Sequence, residues 1–520
     1  MSKHVSRFHV SLVLFAGLVL TLAVLISCGG TTSSPPSQVS TTGTVTTSIG
    51  DPPTCSLSTS QVWVTITKVT AHINGDAGPS DSGWQTLVDL TSGPKQIDLM
   101  SLAQSGPSCL LKILGSTTGL PPGNYQQIRV YLLANDATGI TISSDGGTNQ
   151  CGTSNSAGPF NCVVPQGGSA ETLLLSSEAQ TGIKIPPGQI GGGGINLQVS
   201  QSADISINFM ACESIVRQGN GQFRLKPTLH ANEVSLNTNT LSGRVVDANT
   251  HTPIPNAVVL LEQASQNCVS NPCPAIVPGG QIDDVKEAGV TDVGGNFFFC
   301  PLGQGQQFDV VIAATTMNQG VPTTYNATVT RVVPVGTNLG DVGLVPESTT
   351  VGMSTVPSSP ATITGQITTT SGSASPFAAG QETAGVVTLT ALQTTGGSSP
   401  VFVIVPIFDV GTALTVTTVS GTTNAPCPTG TDCVNYTLNV PGSNPQVGTY
   451  SSSGTNYTPP AANPAVYWVW AQGFDPTTPT SSDCNPSSQP ATFDTSTQIT
   501  VTPGSNPAHD ISFASCTAGR

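Results

Sequence analysis

Along most of this 520-residue chain, apolar and polar positions alternate with a period of two. Val62, Val64 and Ile66 do so in QVWVTITKV, and Ile128, Val130 and Leu132 in QIRVYLL. Ile195, Leu197 and Val199 follow, then Ile205, Ile207 and Phe209. Successive side chains of a strand point to opposite faces, so this alternation over five or six residues predicts half-buried strands. Pro122-Gly123 and Pro187-Gly188 mark turns that enter strands. Further strand patterns lie in GRVVD, AVVLLEQ and FDVVIAA, and later in ATITGQIT, GVVTLTAL, VFVIVPIF, AVYWVWAQGF and QITVT. The helix-like stretches are short, Ile97 to Gln104 and Ala170 to Ala179. The expected fold class is all-β, with tandem β-sandwich domains over residues 43–236, 241–345 and 361–516. Ile363, Gly365 and Ile367 echo the opening of the second region, as a diverged repeat would.

The first residues follow a different pattern. Lys3 and Arg7 precede an apolar run from Val10 to Ile26, which leads into Leu25-Ile26-Ser27-Cys28-Gly29. A basic segment, an apolar segment and a small-residue site in that order read as a signal peptide over residues 1–27. The run has 17 residues, at the lower limit for crossing a bilayer, and no basic stop-transfer cluster follows. Leu25 to Cys28 resembles the lipobox of bacterial lipoproteins. The resemblance implies that the Cys28 thiol receives a diacylglycerol and that Cys28 becomes the mature N-terminus. Two or more acyl chains anchor a protein stably. In such lipoproteins an Asp after the Cys favours inner-membrane retention; Gly29 here implies the outer membrane. Residues 28–42 are rich in Ser, Thr, Gly and Pro and read as a tether. Its 14 residues after Cys28 reach about 50 Å extended and roughly 20 Å as a coil.

Composition narrows the partners. Without the signal, 12 basic residues face 28 acidic ones, a net charge of −16. That balance argues against nucleic acid and against electrostatic binding to anionic lipid. Only 8% of residues are charged, yet 37% are hydrophobic and patterned, which fits folded β domains with polar loops. Of 13 Cys, twelve remain after Cys28, and in an exported protein they read as disulfides rather than metal ligands. Cys151 with Cys162, and Cys427 with Cys433, are the candidate local pairs.

Two family resemblances follow from longer motifs. VWVTITKVTAH, WQTL, QIDLMSL, GLPPGNYQQIRVYLL, TGIKI and FRLKPTL occur in the order seen in a bacterial lipoprotein domain, domain of unknown function 4382. That family usually carries acidic residues at a late strand where this chain has Ile207 to Met210, so no cation-binding role is carried over. The second region resembles a carboxypeptidase regulatory-like domain, a prealbumin-type β-sandwich. The likeness rests on Gly243, Val245, Asp247, Pro255 to Ala257, Thr291-Asp292, Gly295, Phe297 and Leu302-Gly303. It implies a scaffold, with Asp292 bonding turn amides, Gly295 at a turn and Phe297 with Phe299 on one face.

Candidate chemistry is sparse. His72, His230, His251 and His509 are too far apart in sequence for a His-x-x-x-His pair and read as surface or turn residues. No Gly-x-Ser-x-Gly or P-loop is present, and Gly191 to Gly194 reads as a loop. Asp283-Asp284 reads as a pair of solvated loop carboxylates, with nothing to separate their pKa values. Trp468 and Trp470 share one face of AVYWVWAQ and Tyr467 takes the other. Exposed, the two indoles would make a platform for sugar rings or partner side chains; turned inward, they are core. The expectation is a lipid-anchored, non-enzymatic binding or adhesion protein for polysaccharide or an envelope protein, with no cofactor and no metal. A structural lipoprotein of envelope assembly, without a small ligand, is the alternative.

Cys28→Ser should leave the precursor unprocessed, because the acylated sulfur is part of what lipoprotein signal peptidase recognises. Mass spectrometry of the wild-type N-terminal peptide checks this; an unmodified residue upstream of Cys28 would overturn it.

Overall fold

The computed structural model describes residues 42–51, 59–102, 110–175, 181–217, 221–234, 240–264, 281–318, 321–351, 354–357, 359–370, 386–396, 400–408, 411–417, 427–429, 431–458, 464–474 and 498–513. The signal segment, Cys28 and the tether up to residue 41 lie outside these. The chain is all-β. Among the described residues, helix is confined to Thr181, Ala211–Ser214 and short 3-10 turns.

Each region begins with a strand held between one parallel and one antiparallel neighbour. Gly43–Gly50 runs parallel to Ser202–Phe209 and antiparallel to Lys112–Leu120. Leu241–Asp247 runs parallel to Thr337–Leu344 and antiparallel to Asn296–Phe299. Ala361–Thr370 runs parallel to Ile511–Phe513 and antiparallel to Thr431–Val440. Glycine allows close approach at two of these central strands. A Cβ on Gly243 would lie 2.7 Å from the Phe297 ring, and one on Gly365 would lie 1.8 Å from the His509 carbonyl oxygen. The echo between the second and third regions thus has a shared steric cause.

In the first region, Val45, Ile49, Ile205 and Ile207 from one sheet pack on Val62, Val64, Ile66, Ile128 and Val130 from a second. The long strand Thr59–His72 organises that second sheet, pairing with Gln85–Asp89, Lys95–Asp98, Gln127–Leu132 and Cys162–Pro165. The described parts of both helix-like stretches are corrected here; residues 103–104 and 176–179 lie outside the described residues. Ile97 completes Lys95–Asp98, and only Leu99–Ser101 turns, its start capped by the Asp98 carboxylate, which accepts from Met100 N at 3.2 Å. Glu171–Leu174 is a strand between Cys162–Pro165 and Phe223–Leu225. Segments this short cannot offset helix nucleation, so pairing with neighbouring strands prevails.

The second and third regions share one 11-stranded sheet. Gln281 and Ile282 pair in parallel with Val401 and Phe402, and Thr328 to Arg331 pair with Gln446 to Thr449. Val259, Leu261, Val310 and Ile312 fill one core with Leu241, Val245, Phe297 and Phe299. The alternate residues Leu260, Val311 and Ala313 fill another with Ile363, Val403, Leu438 and Tyr467. Strands buried on both faces are apolar without interruption, which accounts for the runs VVLL and VVIA. Each fully buried Val or Leu side chain contributes roughly 1.5–3 kcal/mol.

Local covalent and turn devices match their sequence signals. Cys151–Cys162 and Cys427–Cys433 are disulfide-bonded, with Cα atoms 5.4 and 5.5 Å apart. Asp292 accepts from Gly294 N and Asn296 N, both at 2.8 Å, around Gly295, whose φ is +78°. Phe297 and Phe299 lie side by side in the second region's core, ring centroids 6.2 Å apart. Asp292→Ala removes these acceptors and should lower stability by about 0.5–2 kcal/mol, read as a lowered melting temperature with any ligand binding intact. An unchanged melting temperature with binding abolished would place Asp292 in a site instead.

Candidate functional site

A cleft of about 590 Å³ opens where the Pro187–Gly193 stretch of the first region meets the strands Val258–Ala264, Gln281–Val290, Gln307–Ala313 and Thr328–Pro334. Its depth is acidic. Glu262, Asp283 and Asp309 are 0%, 1% and 6% exposed. Glu262 and Asp309 stand opposite each other in neighbouring strands and extend the apolar rows of Leu260 and Val311. The sequence reading of Asp283-Asp284 as solvated loop carboxylates is therefore corrected. The pair sits on Gln281–Val290, and strand pairing with Gln263 and Ala264 carries Asp283 inward.

The local backbone explains Asp309. The pairing of Gln307–Ala313 with Thr328–Pro334 slips at this point, so Arg331 and Val332 bulge opposite Asp309. Val332 takes a left-handed φ of 58°, which is costly for a β-branched residue. Asp309 offsets that cost by accepting from Val332 N and from Arg331 Nε, both at 2.8 Å. Asp283 accepts from Gln281 Nε2 at 2.6 Å. Burial first, with repulsion and a shared hydrogen bond from Asp309 opposing the help of Gln281 and Arg331, raises Asp283 to about 7. Glu262 lies deeper still. It accepts from Ile404 N at 3.0 Å through Oε2, its Oε1 has no partner, and burial followed by Asp283 pushes it well above the usual carboxylate range.

The wall supplied by the first region is fastened by Lys286, whose Nζ donates to the Gly188 carbonyl at 2.7 Å and lies 3.8 Å from Asp284. Burial lowers the Lys286 pKa. Beside it the His230 ring bonds the Lys286 carbonyl through Nδ1, and Asn208 donates to Glu287. Burial, then the Lys286 ammonium, hold the His230 imidazole down at about 4, so it is neutral near pH 7. The Gly191–Gly193 turn has φ of 72° and 77° at Gly192 and Gly193, and both residues line the cleft mouth.

Other sequence candidates fall elsewhere. Trp468 is 5% exposed and meets Phe402 edge-on, ring centroids 5.0 Å apart. Trp470 is half-buried against the same core, and Tyr467 is fully buried with its hydroxyl on the Pro441 carbonyl at 2.9 Å. Of the two readings of these indoles, exposed platform or core, the buried Trp468 fits the core. His72, His230 and His509 are buried rather than on the surface, and His251 sits in a turn at φ 57°. Among the described residues, no three His, Cys, Asp or Glu side chains are placed to hold a metal. The cleft carboxyls other than Asp283 went unread, although Glu262 in VVLLEQ and Asp309 in FDVVIA interrupt apolar strands, a signal open to sequence reading.

These features define an all-β protein of several packed sheets with an acidic cleft at the junction of its first two regions. Residues 42–227 match the family described as Domain of unknown function (DUF4382), so this part of the chain is a DUF4382 domain. No curated protein matches the sequence. Among solved structures, the Bacillus anthracis TIE protein is similar at 9% identity and a TM-score of 0.14 over 92% of this chain, which spans 51% of that one. The shaft pilin SpaA from Lactobacillus rhamnosus GG shows 10% identity and a TM-score of 0.15, over 60% of this chain and all of that one. The Streptococcal ancillary pilin shows 9% and 0.15, over 90% and 98%.

Removing the cation from this cluster should be costly. Arg331→Ala leaves Asp309 without its ion-pair partner and should lower stability by about 2–4 kcal/mol at pH 8. Denaturant melts of the variant and the wild type at pH 8 check this.

Proposed function

We propose that this is an exported lipoprotein, anchored at Cys28 in the outer membrane, that acts as a non-catalytic binding protein for polysaccharide or an envelope protein. The second region serves it as a regulatory-like scaffold. The observation that carries the reading is the rim of the cleft. Gln263, Gln281, Gln306 and Gln307 surround its mouth. A side-chain amide both donates and accepts hydrogen bonds, which suits sugar hydroxyls or a peptide backbone. Two of the carboxyls below are engaged with the fold itself, Asp309 with Arg331 and Val332 and Glu262 with Ile404 N. Export is supported by the order of the first thirty residues and by the closed pairs Cys151–Cys162 and Cys427–Cys433, since disulfides persist in oxidising compartments.

A polysaccharide array probed with the full chain should show saturable binding that Gln263→Ala with Gln307→Ala weakens at least about tenfold, the loss of one or two good hydrogen bonds. No glycan binding, together with robust co-purification of envelope proteins, would replace this reading with a structural assembly role.

A further inference from the structure

We propose that the cleft takes a neutral polysaccharide and that Val332 is the aliphatic surface on which one of its sugar rings rests. This rests on the binding role given above to the glutamine rim, and adds to it the ligand class and a residue that sets specificity. At φ 58° Val332 stands where a β-branched side chain is strained. Fold stability alone would favour glycine or asparagine at such a position. The valine gains little from packing in return: it is 43% exposed and belongs to none of the apolar cores among the described residues. It lines the cleft instead. The Asp309 carboxylate, accepting from Val332 N and Arg331 Nε, pins the bulge in this form.

The rim amides share this wall with Val332. Gln263 Nε2 donates to the Gln307 carbonyl at 2.8 Å, and Gln307 lies two residues before Asp309 on the same strand. The Gln307 side chain is exposed, and among the described residues its amide has no protein partner. A pyranose carries C–H groups on its ring faces and hydroxyls around its edge. Val332 suits the first and the amides the second, the combination of apolar surface and a few placed polar groups that orients a small ligand. A volume of about 590 Å³ lies within the range of such sites.

Charge selects against acidic sugars. Around the cleft the carboxyls of Glu262, Asp283, Asp284 and Asp309 face the two cations Lys286 and Arg331, so protonation of two carboxyls would still only balance the charge. Both cations are also engaged, Arg331 with Asp309 and Lys286 with the Gly188 carbonyl. A uronate would meet no excess of positive charge and would have to compete with Asp309 for Arg331. A peptide fits less well than a sugar. The cleft strands Val258–Ala264, Gln281–Val290, Gln307–Ala313 and Thr328–Pro334 each have strand neighbours on both sides, which limits the addition of an extended peptide as a further strand.

Binding of the full chain to soluble neutral polymers (a glucan, a galactan and a mannan) and to the uronate polymers alginate and polygalacturonate tests this. The wild type should bind at least one neutral polymer saturably and the uronates at least about tenfold more weakly. Val332→Gly should weaken neutral binding about three- to tenfold, the loss of a partly buried aliphatic contact, while its melting temperature stays level or rises. Val332→Ile keeps the aliphatic face and should bind within about twofold of the wild type. If the wild type binds no polymer, whether or not it retains an envelope protein, the polysaccharide reading of the cleft falls and this inference falls with it. Wild-type binding that Val332→Gly leaves intact, a loss of binding that comes only with a lowered melting temperature, or a preference for uronates would overturn this inference alone.

Discussion

The structure depends on one sheet being buried on both of its faces. Val258–Ala264 and Gln307–Ala313 send Val259, Leu261, Val310 and Ile312 to one core and Leu260, Val311 and Ala313 to another. A strand with two buried faces has no solvent side on which to place polar residues, so its ends carry whatever chemistry the fold retains. At one end the rows terminate in Glu262 and Asp309, buried at the cleft but within reach of backbone amides. The cleft, the bulge at Val332 and the seam with the third region all follow from that arrangement.

Electrostatics in this molecule is local. The chain carries a net charge of −14, and its surface ion pairs contribute little. The exposed Lys112–Asp145 and Arg244–Asp341 contacts are of that kind. The buried groups behave differently, because in a low-dielectric interior a charge must be paired or given up. Asp309 is paired with Arg331, while burial raises the pKa of Glu262 and Glu347 and lowers that of His230.

The shared opening of the three regions bears on their origin as well as their stability. A first strand placed between a parallel and an antiparallel partner closes each region's beginning onto a much later strand. Such pairings are non-local and slow to form, yet they lock the ends of each region together. Gly243 and Gly365 occupy comparable crowded points in the second and third regions, where any Cβ would strike a ring or a carbonyl. The common constraint is steric.

Much of this was readable from residues alone. Alternation in QVWVTITKV and QIRVYLL determined the strands Thr59–His72 and Gln127–Leu132, because period two has one structural meaning. The loops between Cys151 and Cys162, and between Cys427 and Cys433, are short enough that proximity in sequence brought the sulfurs together. Asp292 and Gly295 formed their turn from local bonds alone. Other outcomes were set by contacts distant in sequence. Ile97 and Asp98, and Glu171 to Leu174, lie in stretches whose apolar spacings suit either state, and strand partners from elsewhere in the chain chose for them. Trp468 was covered because Phe402 and the strand Val386–Thr394 came to lie against it. Asp283 became a buried acid, and Glu262 a bridge to Ile404, only through the register of Val258–Ala264 against its neighbours and the approach of the third region. Alternation tells which side chains share a face. What covers that face depends on parts of the chain that come together only when it folds.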